Sequence, residues 1–566
     1  MAKSYFHRGG DTPLLGTTIA EHFSSIVARY PEHNAVISVP QEQTLTYAQL
    51  SEQVDQVARA LLSFGYGKGN RIGIWSTNNL QWILIQMATA RIGAILVNIN
   101  PAYRVQELEY ALKQSKVQCL LTIPTFKSSH YLDMLLELCP ELKQCQPENI
   151  KSERLPDLSR IIIYDPLLPD QTRIPFPGFT AWQSLIAVVE QTSQNKLNRV
   201  TASLDTDDAI NIQYTSGTTG FPKAVVLSHH NILNNAWFSA QAMHFDEHDI
   251  LCIAVPFYHC FGMVIANLLC FSVGACAVIA CDYFDAETVL KTVEKHRCTA
   301  LHGVPTMFIA ELEHKNFQQY NLKSLKTGIM AGAPCSPELM QQVMQEMHCP
   351  EILIGYGETE ASPLTHLTTR EDSLLRRTQT VGHNLPHQEV KVINIDTNQT
   401  VAIGETGEVC FRGYHIMQGY FNNPEATSDA IDKQGWLHSG DLGVMDKDGY
   451  ISITGRLKDM IIRGGENIYP REIEDLIYTH PKVAEVAVFG VPDNFYGEEL
   501  AAWIQLHEGV NCDEKEIQKF CQGNLSHFKI PHYIRFVTEF PMTVTGKLQK
   551  FQMRKQMIKM LQKLPT

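Results

Sequence analysis

The sequence predicts an α/β protein with a large multi-sheet N-terminal domain and a small α+β C-terminal domain. Three observations carry this. The chain has 566 residues, well beyond the roughly 250 to 300 at which single hydrophobic cores stop growing. Its first part alternates helical and strand patterns, which implies parallel sheets covered by helices. After about residue 400 the pattern shifts to short strands and Gly-rich turns. The boundary falls at residues 455–459, giving expected domains of 1–457 and 458–566.

The elements follow in order. TYAQLSEQVDQVARALLSFG places Leu50, Val54, Val57, Ala58 and Leu61 on one stripe and predicts a helix. RIGIWS then reads as a strand, NLQWILIQMATARIGA as a helix, AILVNI as a strand, ELEYALKQSK as a helix and CLLTI as a strand. Residues 251–281 contain no Asp, Glu, Lys or Arg, and within them FGMVIANLLCFSVGACAVIA reaches the length of a membrane span. Pro256, His259, Asn267, Ser272 and Gly274 interrupt that run and no Lys or Arg flanks it, so a short helix followed by a buried parallel strand, GACAVIA, is expected instead. SPELMQQVMQEM reads as a helix. Beyond the boundary, IIRGGENIYPREIEDLIYTHPKVAEVAVFGV reads as strand, helix and strand, and the chain ends in a basic helix, KLQKFQMRKQMIKMLQK.

Charge narrows the function. With 47 Lys+Arg against 60 Asp+Glu the net charge is −13, which disfavours a nonspecific nucleic-acid binder. From Lys458 onward there are 14 of each sign, so the preceding part carries the whole excess. The 14 cysteines form no CxxC pair and no Cys/His ligand spacing, which predicts reduced, mostly buried thiols and no zinc site. MAKSYFHRGGDTPLLG lacks the apolar core of a secretory signal, so a cytoplasmic address is expected.

The most specific local pattern is YTSGTTGFPKAVVLSHHN, which groups Thr215, Ser216, Gly217, Thr218, Thr219 and Gly220 ahead of Lys223. Small residues let backbone N–H groups converge on an anion, hydroxyls add donors, and lysine adds charge. The spacing does not fit a Walker A loop: Gly217 and Gly220 are too close, and Ala224 follows the lysine.

At this point the chain resembles the adenylate-forming superfamily of acyl-CoA synthetases, luciferases and peptide-synthetase adenylation domains. Four further segments match in the family's order: GYGETEASP from Gly355, HSGDLGVMDKDGY from His438, GRLKDMIIRGGENIYPREIE from Gly455 and PMTVTGKLQK from Pro541. TYAQL and AILVNINPAYR also resemble bacterial acyl-CoA synthetases, so the likeness spans essentially the whole chain.

The resemblance implies roles for individual residues. The Thr215–Gly220 loop and Lys223 would cradle the departing pyrophosphate of ATP. Tyr356, between Gly355 and Gly357, would stack on adenine, Thr359 would meet the α-phosphate and Glu360 would bind Mg²⁺, a hard cation suited to oxygen ligands. Gly332, Ala333 and Pro334 would lie along adenine, and Asp441 and Arg456 would hold the ribose. Lys547 would be the catalytic lysine of adenylation, brought in by a mobile C-terminal domain that turns about Lys458. Gly464, Gly465 and Glu466 would then approach the thiol of coenzyme A. His259, Phe261 and Gly262 would line the acyl channel, whose apolar surroundings favour a fatty or aryl acid.

The expected reaction is therefore ATP-dependent ligation of a fatty-type carboxylic acid to CoA through an acyl-adenylate, releasing AMP and pyrophosphate. Two alternatives stand beside it: transfer to a carrier protein, and an inactive nucleotide- or acyl-binding regulator. The absence of an insertion between Gly455 and Gly465 and of an appended carrier domain favours free CoA. A homodimer is left open.

Overall fold

A computed structural model describes all residues except Met1, Asn149, Thr172, 216–221, Gly465, Asn494, Gly523, 543–547 and 563–566, and the side chains of Gln171 and Asn467. The chain divides into two compact units. The larger comprises His7–Glu389 and Phe411–Leu437, and the smaller Met1–Phe6, Val390–Cys410 and His438–Thr566.

The larger unit is built on two sheets. One has eight strands, in the order Thr180–Ala181, Arg160–Ile163, Cys119–Thr122, Arg71–Trp75, Ile95–Ile99, Ala209–Thr215, Lys223–Ser228 and Gly419–Tyr420. Every residue of Ile95–Ile99 and Cys119–Thr122 is buried, as expected of strands covered on both faces. Tyr47–Ser63 is the expected helix and buries Leu50, Val54, Val57, Ala58 and Leu61. The next helix, Leu80–Ile92, buries every residue but Arg91 and so has no solvent face. Its Gln86 is satisfied within the core: Nε2 donates to the Met263 carbonyl and Oε1 accepts from Asn267 Nδ2.

The second sheet has nine strands, with six parallel ones at its centre: Asn34–Ser38, Cys276–Ile279, Ile250–Ile253, Ala300–His302, Thr327–Ala331 and Glu351–Gly357. Antiparallel strands close both edges. The charge-free run 251–281 resolves as anticipated. Cys276–Ile279 is a fully buried strand between two parallel neighbours, and the helix before it is short. Among the described residues no helix is long and apolar enough to cross a membrane. The helical stretch differs in one respect from a plain α-helix: Met263–Leu268 is a π-turn.

In the smaller unit, Val483–Asp493 and Gly497–Leu506 form a long antiparallel pair with apolar residues on both faces. Val486, Val488, Leu500, Ala502 and Ile504 join the cluster formed with Ile473 and Ile477 of the helix Pro470–Tyr478. Their neighbours Ala487, Phe489, Val491, Ala501 and Trp503 join Met553 and Met557 of the C-terminal helix Lys550–Leu561. The period-2 alternation thus splits one sheet between two helical layers. Twelve of the fourteen cysteines are buried.

Candidate active site

The carboxyl ends of the central parallel strands collect most of the residues singled out in the larger unit. Gly332, Ala333 and Pro334 follow Thr327–Ala331 and are exposed. Their neighbour Glu351–Gly357 carries Gly355, half-buried Tyr356 and Gly357, with Ala331 and Gly355 in register. Thr359 and Glu360 come next, in a single 3-10 turn. His259, Phe261 and Gly262 follow Ile250–Ile253, two strands beyond Thr327–Ala331. Open α/β sheets bind ligands at this edge.

Close approaches explain the small residues. A Cβ on Gly357 would sit 1.9 Å from the Pro363 carbonyl oxygen, and one on Gly262 would sit 2.3 Å from that of Pro256. Gly332 has φ +87°, which favours glycine. His259 caps the turn Cys260–Gly262, its Nδ1 accepting from the Phe261 N–H at 3.2 Å. Phe261 stacks on His302, the rings 5.7 Å apart and 18° from parallel. His302 Nδ1 accepts from the Ile329 N–H, which leaves Nε2–H to donate to the Ile265 carbonyl. Burial lowers this ring's pKa to about 4, so it is a neutral scaffold. Burial raises the pKa of the Cys260 thiol, so that cysteine is no thiolate nucleophile.

The phosphate-loop residues Ser216, Gly217, Thr218, Thr219 and Gly220 lie outside the described residues. Their flanks are fixed: Ala209–Thr215 and Lys223–Ser228 are antiparallel partners, with Thr215 opposite Lys223. The loop therefore connects a hairpin. Lys223 Nζ lies 4.5 Å from the ring centroid of Tyr420, and the hydroxyl of that tyrosine donates to Glu360 Oε1 at 2.8 Å. Burial and the adjacent carboxylate hold this phenol above its usual range, so it remains a donor. Glu360 Oε2 has no hydrogen-bond partner among the described residues, and a carboxylate oxygen is the donor a hard divalent cation takes. Tyr420 escaped the sequence reading because 60 residues separate it from Glu360 and no spacing rule links them.

The remaining residues belong to the smaller unit. Asp441 and Arg456 face each other across the pair Leu437–Met445 and Ile451–Arg456, with Arg456 Nε 3.1 Å from Asp441 Oδ1. Glu408, also missed, anchors the start of the first of these strands: Oε1 accepts from the Gly440 N–H and Oε2 lies 2.8 Å from His438 Nδ1. Lys458 lies in the 3-10 turn Leu457–Asp459. Ile461–Arg463 and Glu466–Ile468 pair as a hairpin whose turn begins at Gly464, φ +59°. The Gly464 N–H donates to the Tyr496 carbonyl, and Glu466 is exposed. Gly465 and Lys547 lie outside the described residues.

Comparison with known proteins fits this architecture. The family model for AMP-binding enzymes matches residues 23–421, and that for the AMP-binding enzyme C-terminal domain matches residues 472–547. YngI of Bacillus subtilis (strain 168), provisionally named an acyl-CoA synthetase, is 47% identical over 547 residues, 97% of this chain and 98% of its own. The mitochondrial medium-chain acyl-CoA ligase ACSF2 of Homo sapiens is 40% identical over 549 residues, 96% of this chain and 88% of its own. The anthranilate CoA ligase AuaEII, solved in complex with anthranoyl-AMP, superposes with a TM-score of 0.83 at 25% identity, over 98% of this chain and 99% of its own. The chain belongs to the AMP-binding enzyme family, as one of its adenylate-forming acyl-CoA synthetases.

Proposed function

We propose that this enzyme ligates a medium-chain fatty acid to coenzyme A. The acid's carboxylate oxygen attacks the α-phosphorus of ATP, the bond to the β-phosphate bridging oxygen breaks, and pyrophosphate leaves. The CoA sulfur then attacks the acyl carbon of the adenylate, AMP departs, and the thiol proton is released. Apolar surroundings at the carboxyl edge of the nine-stranded sheet carry the choice of acid: neither 251–281 nor 302–310 contains an Asp, Glu, Lys or Arg. A charged tail would lose its hydration there without a partner. ACSF2 supplies the chain-length class.

In this reading Tyr356 and Gly332–Pro334 take adenine, Asp441 and Arg456 the ribose, and Lys223 with the Thr215–Gly220 loop the phosphates. Glu360 holds Mg²⁺, which supplies charge neutralisation on the phosphates, and Thr359 lies at the α-phosphate. Lys547 serves adenylation; Gly464, Gly465 and Glu466 border the thiol path; His259, Phe261 and Gly262 border the acyl chain. Residues 458–566 move as a domain about Lys458, and the cytoplasmic address belongs to the same proposal.

The test is pyrophosphate release measured over straight-chain acids of graded length and over aromatic acids, each with and without CoA. The proposal expects a maximum at medium length and CoA-dependent turnover. A maximum on aromatic acids would overturn the acid class, and release unaffected by CoA would overturn the acceptor.

A further inference from the structure

Two residues identified from separate sequence motifs, Lys223 beside the phosphate loop and Glu360 after the tyrosine strand, meet different parts of one side chain that neither motif contains. Tyr420 presents its ring face to the Lys223 ammonium at 4.5 Å and its hydroxyl to Glu360 Oε1 at 2.8 Å. Its own placement is fixed from the backbone: Gly419–Tyr420 pairs with Lys223–Ser228, Val225 opposite Tyr420, and the Tyr420 N–H donates to Thr427 Oγ1 at 2.9 Å. The ring is buried, so it has little freedom to turn away.

We propose that Tyr420 is a positioning residue that keeps Lys223 and Glu360 from pairing with each other, holding the cation ready for ATP phosphate and the carboxylate ready for the metal. The inference rests on the ATP-binding reading above. An ammonium and a carboxylate that contact the same side chain attract one another, and a direct ion pair would cancel both charges before nucleotide arrived. Among the described residues Lys223 has no acidic partner; its contact is with a π face, which attracts a cation without neutralising it. The hydroxyl fixes one oxygen of Glu360 and leaves the other for an incoming cation. Ring and hydroxyl therefore have separable tasks: the ring is a spacer and the hydroxyl a clamp.

The experiment measures ATP affinity by isothermal titration, with and without Mg²⁺, for the parent enzyme, Tyr420→Phe, Tyr420→Leu and the double variant Tyr420→Leu/Glu360→Gln. Thermal unfolding is followed on each sample. Tyr420→Phe keeps the spacer and loses the clamp. Metal-free ATP affinity should stay within about twofold, while the gain on adding Mg²⁺ should shrink about tenfold, the size expected for a hydrogen bond to a charged group. Tyr420→Leu lets the two charges meet, so metal-free affinity should fall about tenfold. The double variant removes the captor of Lys223 and should restore metal-free affinity to near the parent value, although it differs from parent at two positions. Equal behaviour of the Phe and Leu variants, or no recovery in the double variant, would overturn the proposal. Should Tyr420→Leu fail to fold, the Phe variant decides alone: an unchanged Mg²⁺ gain overturns the clamp. A parent enzyme that binds no ATP would instead sink the reading of the site itself.

Discussion

His415 is fully buried, and neither ring nitrogen has a hydrogen-bond partner among the described residues. Burial lowers its pKa to about 3, and does the same for His366; it lowers His229 and His302 to about 4. All four are neutral in the fold, whereas in the unfolded chain each titrates near 6.5. Below that value the unfolded chain takes up protons the folded chain refuses, so stability present at neutral pH is lost as pH falls toward the folded values. The slope is about 1.4 kcal/mol per pH unit for each such group. Replacing His415 with Leu removes one of these protons and two unsatisfied nitrogens. Its unfolding temperature should fall less than the parent's between pH 7.5 and 5; an identical fall would mean that His415 is protonated inside the fold. Glu311 has the opposite sign. Burial raises its carboxyl well above the ordinary range, and Oε2 has no partner among the described residues. The folded state keeps this proton while the unfolded state releases it above about 4.5. Stability present at low pH is therefore lost as pH rises. Glu311→Gln should gain unfolding temperature over the parent by a margin that grows with pH, and a pH-independent margin would contradict this.

At the scale of elements, the strand Glu351–Gly357 shows what a sequence discloses. GYGETE was recognisable as a motif because its six residues are adjacent in the chain. That Gly357 must be glycine is a property of two segments: Pro363 turns back so tightly that its carbonyl occupies the place of a Cβ. The pairing of this strand with Leu364–Leu367 also shifts register between Tyr356 and Gly357. Gly357→Ala must push the two strands apart there, at a cost of about 2 kcal/mol from overpacking, and should displace Tyr356. ATP affinity should drop by an order of magnitude or more while far-UV circular dichroism stays unchanged; unaltered affinity would show that the strand relaxes without moving the ring. The parallel strands and Tyr47–Ser63 were legible for the same local reason, because periodicity is set by neighbours. The π-turn Met263–Leu268 was not, as its apolar residues suit an α-helix equally well. Nor were the contacts of Tyr420 and Glu408, or the strand Tyr5–Arg8, whose sheet neighbour Gln388–Ile393 lies far along the chain. Such pairings depend on topology, and no spacing within one segment encodes them.

For the whole molecule, the open question is how one chain performs two chemically different steps. Adenylation needs positive charge where pyrophosphate departs, while thiol attack needs a free path to the acyl carbon. A chain that alternates must change backbone dihedrals at a few positions, and the expected one is Lys458, in the turn Leu457–Asp459. Residues in 3-10 turns have φ near −50° to −70°, close to the roughly −65° that proline imposes. Lys458→Pro fixes φ there near −65° and so resists any change of that dihedral. Lys458→Ala removes the side chain and leaves the backbone free. If Lys458 is the pivot, Lys458→Pro should retain one half-reaction near the parent rate and lose the other by an order of magnitude or more, whereas Lys458→Ala should keep both. The two are measured separately, as acid-dependent pyrophosphate release and as thioester formation from supplied acyl-AMP. Lys547→Ala provides the contrast: on the proposal that this lysine serves adenylation, its removal should abolish pyrophosphate release and spare thioester formation whatever the backbone does. If Lys458→Pro and Lys458→Ala give the same pair of rates, the dihedrals of this residue do not govern the passage between steps, and the pivot must lie elsewhere in the chain.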